Sequence, residues 1–236
     1  LQPVEQSLGS ASWSQLVPDH GKLMHLFLLR EPGLDVFAHV HPSRQDGQTF
    51  MLELHPLAGG DYQLYGELTF ENGLNQTIIS EVALPAPLGL ATLPPLSLTN
   101  AAGDVICGAP ATLANEPGKI ARDMDDSWHF EQGRLVAPRP NGTRFARLMG
   151  GYSLVFENTQ GVEEGRDKEL RFAAFGPDGG EVQLQSYMGM PGHAVVRRED
   201  GSVFAHLHPS GSFSMASQQL FRERLSGSEP GETKSR

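Results

Sequence analysis

Histidines placed at matched distances on either side of a tight turn constrain this chain more than any other feature. Across residues 190–209, two short apolar runs flank Asp200-Gly201. That dipeptide readily supplies the two positive φ angles of a type I′ hairpin turn. With those two residues as the loop, Glu199 faces Ser202, Val195 faces His206 and His193 faces His208. Alternate side chains share one face of a strand, so His206 and His208 lie together and His193 joins them. Directly opposed residues hold their Cβ atoms about 4.5–5.5 Å apart. Three imidazoles are thereby expected on one patch.

The same device occurs near the start of the chain. Residues 24–30 lead through Glu31-Pro32-Gly33-Leu34-Asp35 into residues 36–42. A three-residue loop, Pro32-Gly33-Leu34, sets His25 opposite His41, with His39 on the same face. Each copy is followed by a methionine, Met51 in the first and Met215 in the second, and preceded by another, Met24 and Met190. A single His-x-His would be weak evidence; two copies with compatible turns are much stronger.

Composition sets the class. The chain has 236 residues, 39% of them hydrophobic, with 27 Gly and 17 Pro. Short runs of Val, Ile, Phe, Leu and Thr between turn residues suit an all-β protein with mostly antiparallel strands. The formal net charge of -10 argues against nucleic acid as a partner and modestly favours cations. No run of eighteen apolar residues is present. Cys107 is the one cysteine, so no internal disulfide can form. A cysteine-poor chain carrying nine His and seven Met fits a bacterial extracytoplasmic protein. Beginning at Leu1, it reads as a chain relieved of its signal peptide or trimmed from a longer parent.

Taken in order, the pattern divides into a first β-sandwich repeat (1–84, hairpin 22–41), a Pro-rich linker (85–103), a second repeat (104–225, hairpin 190–209) and a disordered tail (226–236). In the first repeat, a strand within 12–17, the hairpin, and strands at 49–54, 62–70 and 76–84 form a meander. In the second, strands are expected at 153–157, 168–175 and 183–187, with a turn at 177–180 and a helix or strand at 216–225. The two repeats are incomplete in complementary ways. The first has strands after its hairpin and almost none before; the second has the reverse. Either the chain is a fragment, the reading favoured for its C-terminus, or the repeats share strands across one interface.

At the hairpins the chain resembles bacterial secreted or membrane-anchored β-sandwich proteins of the cupredoxin-like, YtkA-like type. These carry a GMxGHAVVxRxDGSVFAHLHP stretch followed by a methionine. The matching residues are 187–193, 204–209 and 214–216, with residues 19–25 as the first-repeat version. The resemblance implies two immunoglobulin- or cupredoxin-like sandwiches in tandem and association with copper or heavy-metal handling.

Neutral imidazole suits Zn, Cu, Ni and Fe, while a thioether selects Cu(I). His193, His206 and His208 with Met215 or Met190, and His25, His39 and His41 with Met51 or Met24, would make His3Met sites. Copper fits best and zinc is the alternative. Blue-copper electron transfer needs a thiolate, which neither hairpin offers. A catalytic three-His zinc site would want a general base, and no Asp or Glu stands at a recognisable place for one. The competing reading keeps the histidines as hydrogen-bonded core residues of an assembly module, but clustered imidazoles gain most from a cation. His20 is a further candidate ligand, and Met188 a possible thioether. His55, His129, Met124 and Met149 read as surface or packing residues, Trp13 and Trp128 as core anchors, and Asp123, Asp125 and Asp126 as a solvated loop. The partners expected are a metal ion and a protein receiving it, such as a membrane copper transporter.

Overall fold

The apolar alternation on both arms of the first hairpin builds the centre of the main sheet. The computed structural model describes residues 15–47, 49–54, 57–86, 123–130, 144–157 and 163–227. Trp13, His55, Cys107, most of the 85–122 segment and the tail from 228 lie outside them. Strand β2 (His25–Glu31) pairs antiparallel with β3 (Val36–Val40) in the register Leu26↔Val40, Phe27↔His39, Leu28↔Ala38. That register carries His25 opposite His41, as the loop length predicts. On its other edge β2 pairs with β6 (Gly60–Phe70), His25 against Glu67 and Phe27 against Tyr65. The two-residue β1 (Leu16–Val17) continues that edge, β7 (Asn75–Leu84) takes the far side of β6, and β8 (Ser127–Phe130) lies beside β3. The strand expected at 49–54 shrinks to β5 (Phe50–Met51), paired with β4 (Ser43–Arg44) as a separate ribbon.

Because side chains alternate, this sheet has two unlike faces. Leu26, Leu28, Val36, Ala38, Val40, Tyr62, Leu64 and Leu68 are buried on one. The other carries His25, Phe27 and Leu29 from β2, Phe37 and His39 from β3, and Gln63, Tyr65 and Glu67 from β6.

The chain divides into two compact units, one built from 1–91, 108–129 and 186–236 and the other from 92–107 and 130–185. Both histidine hairpins belong to the first unit. The second hairpin buries its apolar side on the first sheet, within that one unit. Strand β12 (Ala194–Arg197) pairs with β13 (Phe204–Leu207) in the register Ala194↔Leu207, Val195↔His206. Phe204 stacks on Tyr65 with ring centroids 4.2 Å apart and meets Phe27 at 4.9 Å. Phe27, Leu29, Tyr65 and Phe204 form one buried cluster, flanked by Phe37 and Val195.

The expected register survives while the turn differs. Only Gly201 has positive φ there, +75°, and its N–H donates to Arg198 C=O at 2.9 Å. The loop thus takes four residues rather than two, closed by Arg198 N–H to Val203 C=O at 2.8 Å. A Cβ at Gly201 would stand 2.1 Å from Gln63 Oε1 and make that side chain swing aside, so the positive φ is the firmer demand for glycine.

Residues 183–187, expected as a strand, hold none. Helix α1 (Met215–Leu225) follows the second hairpin, where helix or strand was open. Its N-cap Ser214 accepts from Ser217 N–H at 3.0 Å, and Ala216 N–H donates to Asp19 Oδ1 at 3.0 Å. The second unit holds a three-stranded antiparallel sheet of β9 (Arg144–Arg147), β10 (Ser153–Phe156) and β11 (Phe172–Phe175), in the order β11-β10-β9. Its strand at 168–175 begins only at Phe172, and Phe156 stacks on Phe172 at 4.9 Å.

Candidate metal centre

The hairpins place their histidines at equivalent points. His25 opens β2, His39 lies within β3 and His41 follows its end; His193 precedes β12, His206 lies within β13 and His208 follows it. In each triplet the ligand nitrogens lie within 4.8 Å of one another. Ring centroids are 4.6–5.3 Å apart in the first triplet and 4.5–5.1 Å in the second. The sequence implied two separate patches. Packing of one hairpin on the other joins them: His206 stands 5.6 Å from both His25 and His39. His20 completes the group, 5.1 Å from His208.

Hydrogen bonds decide which nitrogen holds the proton in five of the rings. His25 Nε2 lies 3.2 Å from the Asp19 carbonyl, which can only accept, so that nitrogen carries the proton and Nδ1 the lone pair. His41 Nδ1 meets Asp126 Oδ1 at 3.0 Å, and His206 Nδ1 meets Glu67 Oε2 at 2.9 Å. Carboxylates behind ligating imidazoles are the usual device for fixing tautomer and raising basicity. Both rings then turn Nε2 lone pairs inward. His193 Nδ1 donates to His206 Nε2 at 3.0 Å, and His39 Nε2 donates to His25 Nδ1 at 3.1 Å.

What is left over is a set of bare atoms. Among the described residues, His20 Nε2, His41 Nε2, His193 Nε2 and both nitrogens of His208 are buried without a well-formed hydrogen bond. Each such atom costs about 1–3 kcal/mol of desolvation when nothing replaces its water. Burial, aided by neighbouring rings, also favours the neutral form of four of the histidines. His193 is lowered to about 4, His25 and His39 fall well below the ordinary histidine value, and His208 is lowered too. Neutral, desolvated imidazoles with inward lone pairs are the form a transition metal takes.

Two further groups have metal-binding spacing, Asp19 with His20 and His208, and His41 with Asp123 and Asp126. In the second, an ammonium already sits: Lys22 Nζ contacts Asp123 Oδ1 at 2.5 Å and Asp125 Oδ2 at 2.9 Å. These groups give the region its coarse function. Several histidine clusters here can hold a metal ion.

A family profile described as Domain of unknown function (DUF8832) matches residues 4–83. That span carries the first triplet and His20 and ends before the second hairpin. No curated protein and no solved structure matches the chain.

The six histidines named from spacing therefore meet in one centre. The methionines named with them stand variously: Met24 is fully buried, Met190 nearly so, and Met51 is 44% exposed on β5. Met215 opens α1, where its Sδ accepts from Ser210 Oγ at 3.7 Å. Sequence reading missed the supporting groups. Asp126, expected in a solvated loop, is buried and also accepts from His41 N–H at 2.8 Å. Glu67 and Tyr187 were not singled out, although the β2–β6 pairing puts Glu67 directly beside His25. Tyr187 stands with its hydroxyl 3.4 Å from His39 Nδ1 while donating to the Asp125 carbonyl. It is placed to accept a His39 Nδ1 proton once Nε2 turns to an ion.

Proposed function

We propose that this chain is a non-enzymatic extracytoplasmic metal-binding protein that stores, delivers or buffers copper, with zinc as the alternative cargo. The observation carrying this reading is the set of five buried imidazole nitrogens that, among the described residues, make no well-formed hydrogen bond where the two hairpins meet. A core that used its histidines only as hydrogen-bonding residues would pair those atoms. The carboxylates nearest the rings, Glu67 and Asp126, support binding over catalysis, since each is committed to an imidazole N–H and neither is free to act as a base. The likeness of the hairpins to cupredoxin-like, YtkA-like proteins favours copper and a compartment outside the cytoplasm. A membrane copper transporter is the kind of partner such a protein would serve.

Calorimetric titration with Cu(I), Cu(II) and Zn(II) tests the reading on the parent chain and on His206→Ala combined with His208→Ala. The parent is expected to take up Cu(I) or Cu(II) more tightly than Zn(II), and the double variant to lose the second triplet's share. Uptake unchanged by the substitutions would refute the assignment.

A further inference from the structure

The turns that lead into the two hairpins share one backbone and carry unlike residues. In residues 19–22, Asp19 N–H donates to Lys22 C=O and Lys22 N–H to Asp19 C=O, both at 2.8 Å. In residues 187–190, Tyr187 N–H donates to Met190 C=O at 2.8 Å and Met190 N–H to Tyr187 C=O at 3.1 Å. The central residues are left-handed in both, His20 at φ +49° with Gly21 at +80°, and Met188 at +51° with Gly189 at +79°. This is the doubly positive turn that the sequence suggested at Asp200-Gly201. Each turn ends three residues before the first histidine of its own hairpin.

Each turn reaches the other repeat's triplet as well as its own, where the Asp19 carbonyl accepts from His25 Nε2 at 3.2 Å and the Tyr187 ring lies 5.5 Å from His193. Tyr187, from the second repeat, reaches His39 of the first. His20, from the first, lies 5.1 Å from His208 and 5.6 Å from His193, but 6.3 Å from its own His25. A residue other than glycine at positive φ is uncommon, and such backbone is kept where the surroundings hold it. Here it turns a buried His20 Nε2, without a partner among the described residues, toward His208, whose own nitrogens make no well-formed hydrogen bond there. Asp19 backs the arrangement, with Oδ1 taking the Ala216 N–H at the start of α1 and lying 4.0 Å from His20 Nε2.

We propose that His20 is the fourth protein ligand of an ion held by His193, His206 and His208, which makes the two sites of the centre unlike. This rests on the metal-binding reading above. The second triplet then forms a closed four-imidazole site spanning both hairpins. The first triplet has Met188, not an imidazole, at the matching turn position, and keeps an open place. Closed sites hold their ion for structure, while sites with an open position exchange ligands. The first triplet is thus the exchangeable cargo site, and the second a clamp that fastens one hairpin to the other.

The test loads the full chain with two equivalents of Zn(II) and follows release to a chromophoric chelator. The parent is expected to give up one equivalent quickly and the other slowly. His20→Gly keeps a residue at ease with positive φ while removing the imidazole, and His20→Asn is the second variant. In both, the slow equivalent is expected to leave at least about tenfold faster, the smaller end of what losing even an outer partner costs. Met188→Ala is expected to leave the slow equivalent unchanged. A parent that takes up no ion overturns the metal-binding reading and this inference together. A slow phase that persists in both His20 variants of a two-ion parent overturns this inference alone.

Discussion

A neutral imidazole has one proton and one lone pair, and the chemistry of this centre follows from which nitrogen keeps which. Glu67 and Asp126 hold the Nδ1 protons of His206 and His41, so the Nε2 lone pairs turn inward. Glu67→Ala is expected to weaken binding at the second triplet by about 10–100-fold, read by competition titration against an indicator of known affinity. Acid acts on the same atoms. His193 titrates near 4 when folded against 6.5 unfolded, chiefly through burial, with His206 and His208 adding repulsion. Between those values the unfolded chain binds more protons, so stability rises with pH across that window and falls on acidification. The metal-free protein is therefore expected to melt at progressively lower temperature from pH 6.5 toward 4, with little of this contribution above 6.5. A melting temperature flat across that range would contradict neutral burial of His193. Spacing alone exposed the six triplet histidines because strand alternation is local. Glu67, Asp126 and Tyr187 escaped because they meet His206, His41 and His39 across 139, 85 and 148 residues of sequence.

At the scale of elements, both hairpin registers were legible because loop length and apolar alternation leave one pairing that buries the same face. The turn over 198–201 was not, since Asp-Gly is compatible with more than one loop. What selected the longer loop is tertiary: Tyr65 Oη donates to Gly201 C=O at 3.0 Å, and Arg197 Nε reaches Tyr65 Oη at 2.9 Å. Arg197 also pairs with Glu31 and donates to Gln63 Oε1 at 2.9 Å, fastening the hairpin to β2 and β6. Gly201→Ala meets both a positive φ and Gln63, and is expected to cost about 1–3 kcal/mol in urea unfolding. Phe204→Ala empties the aromatic cluster and is expected to cost about 3–5 kcal/mol. It is also expected to weaken metal uptake, because the same contact holds the two triplets together. A Phe204→Ala protein with parental stability would show that the hairpin is not seated on this sheet.

At the scale of the molecule, two complementary half-repeats make one centre. The sequence left open separate repeats or repeats that meet across one interface, and both hairpins belong to one unit. Nothing local distinguishes the two, because the decision lies in how the face of Phe204, Val195 and Arg197 matches that of Phe27, Tyr65 and Glu31. An ion that binds the folded chain alone stabilises it, by about 2.7 kcal/mol at a free concentration 100 times the dissociation constant. Loading is accordingly expected to raise the melting temperature of the parent and to do so less for His206→Ala combined with His208→Ala. The most direct test of the centre itself is X-ray absorption on the full chain loaded with one equivalent of Zn(II). The expected spectrum has three or four nitrogen neighbours at about 2.0–2.1 Å with the outer-shell scattering of imidazole rings. A hydrated, oxygen-only shell without imidazole scattering would contradict the account.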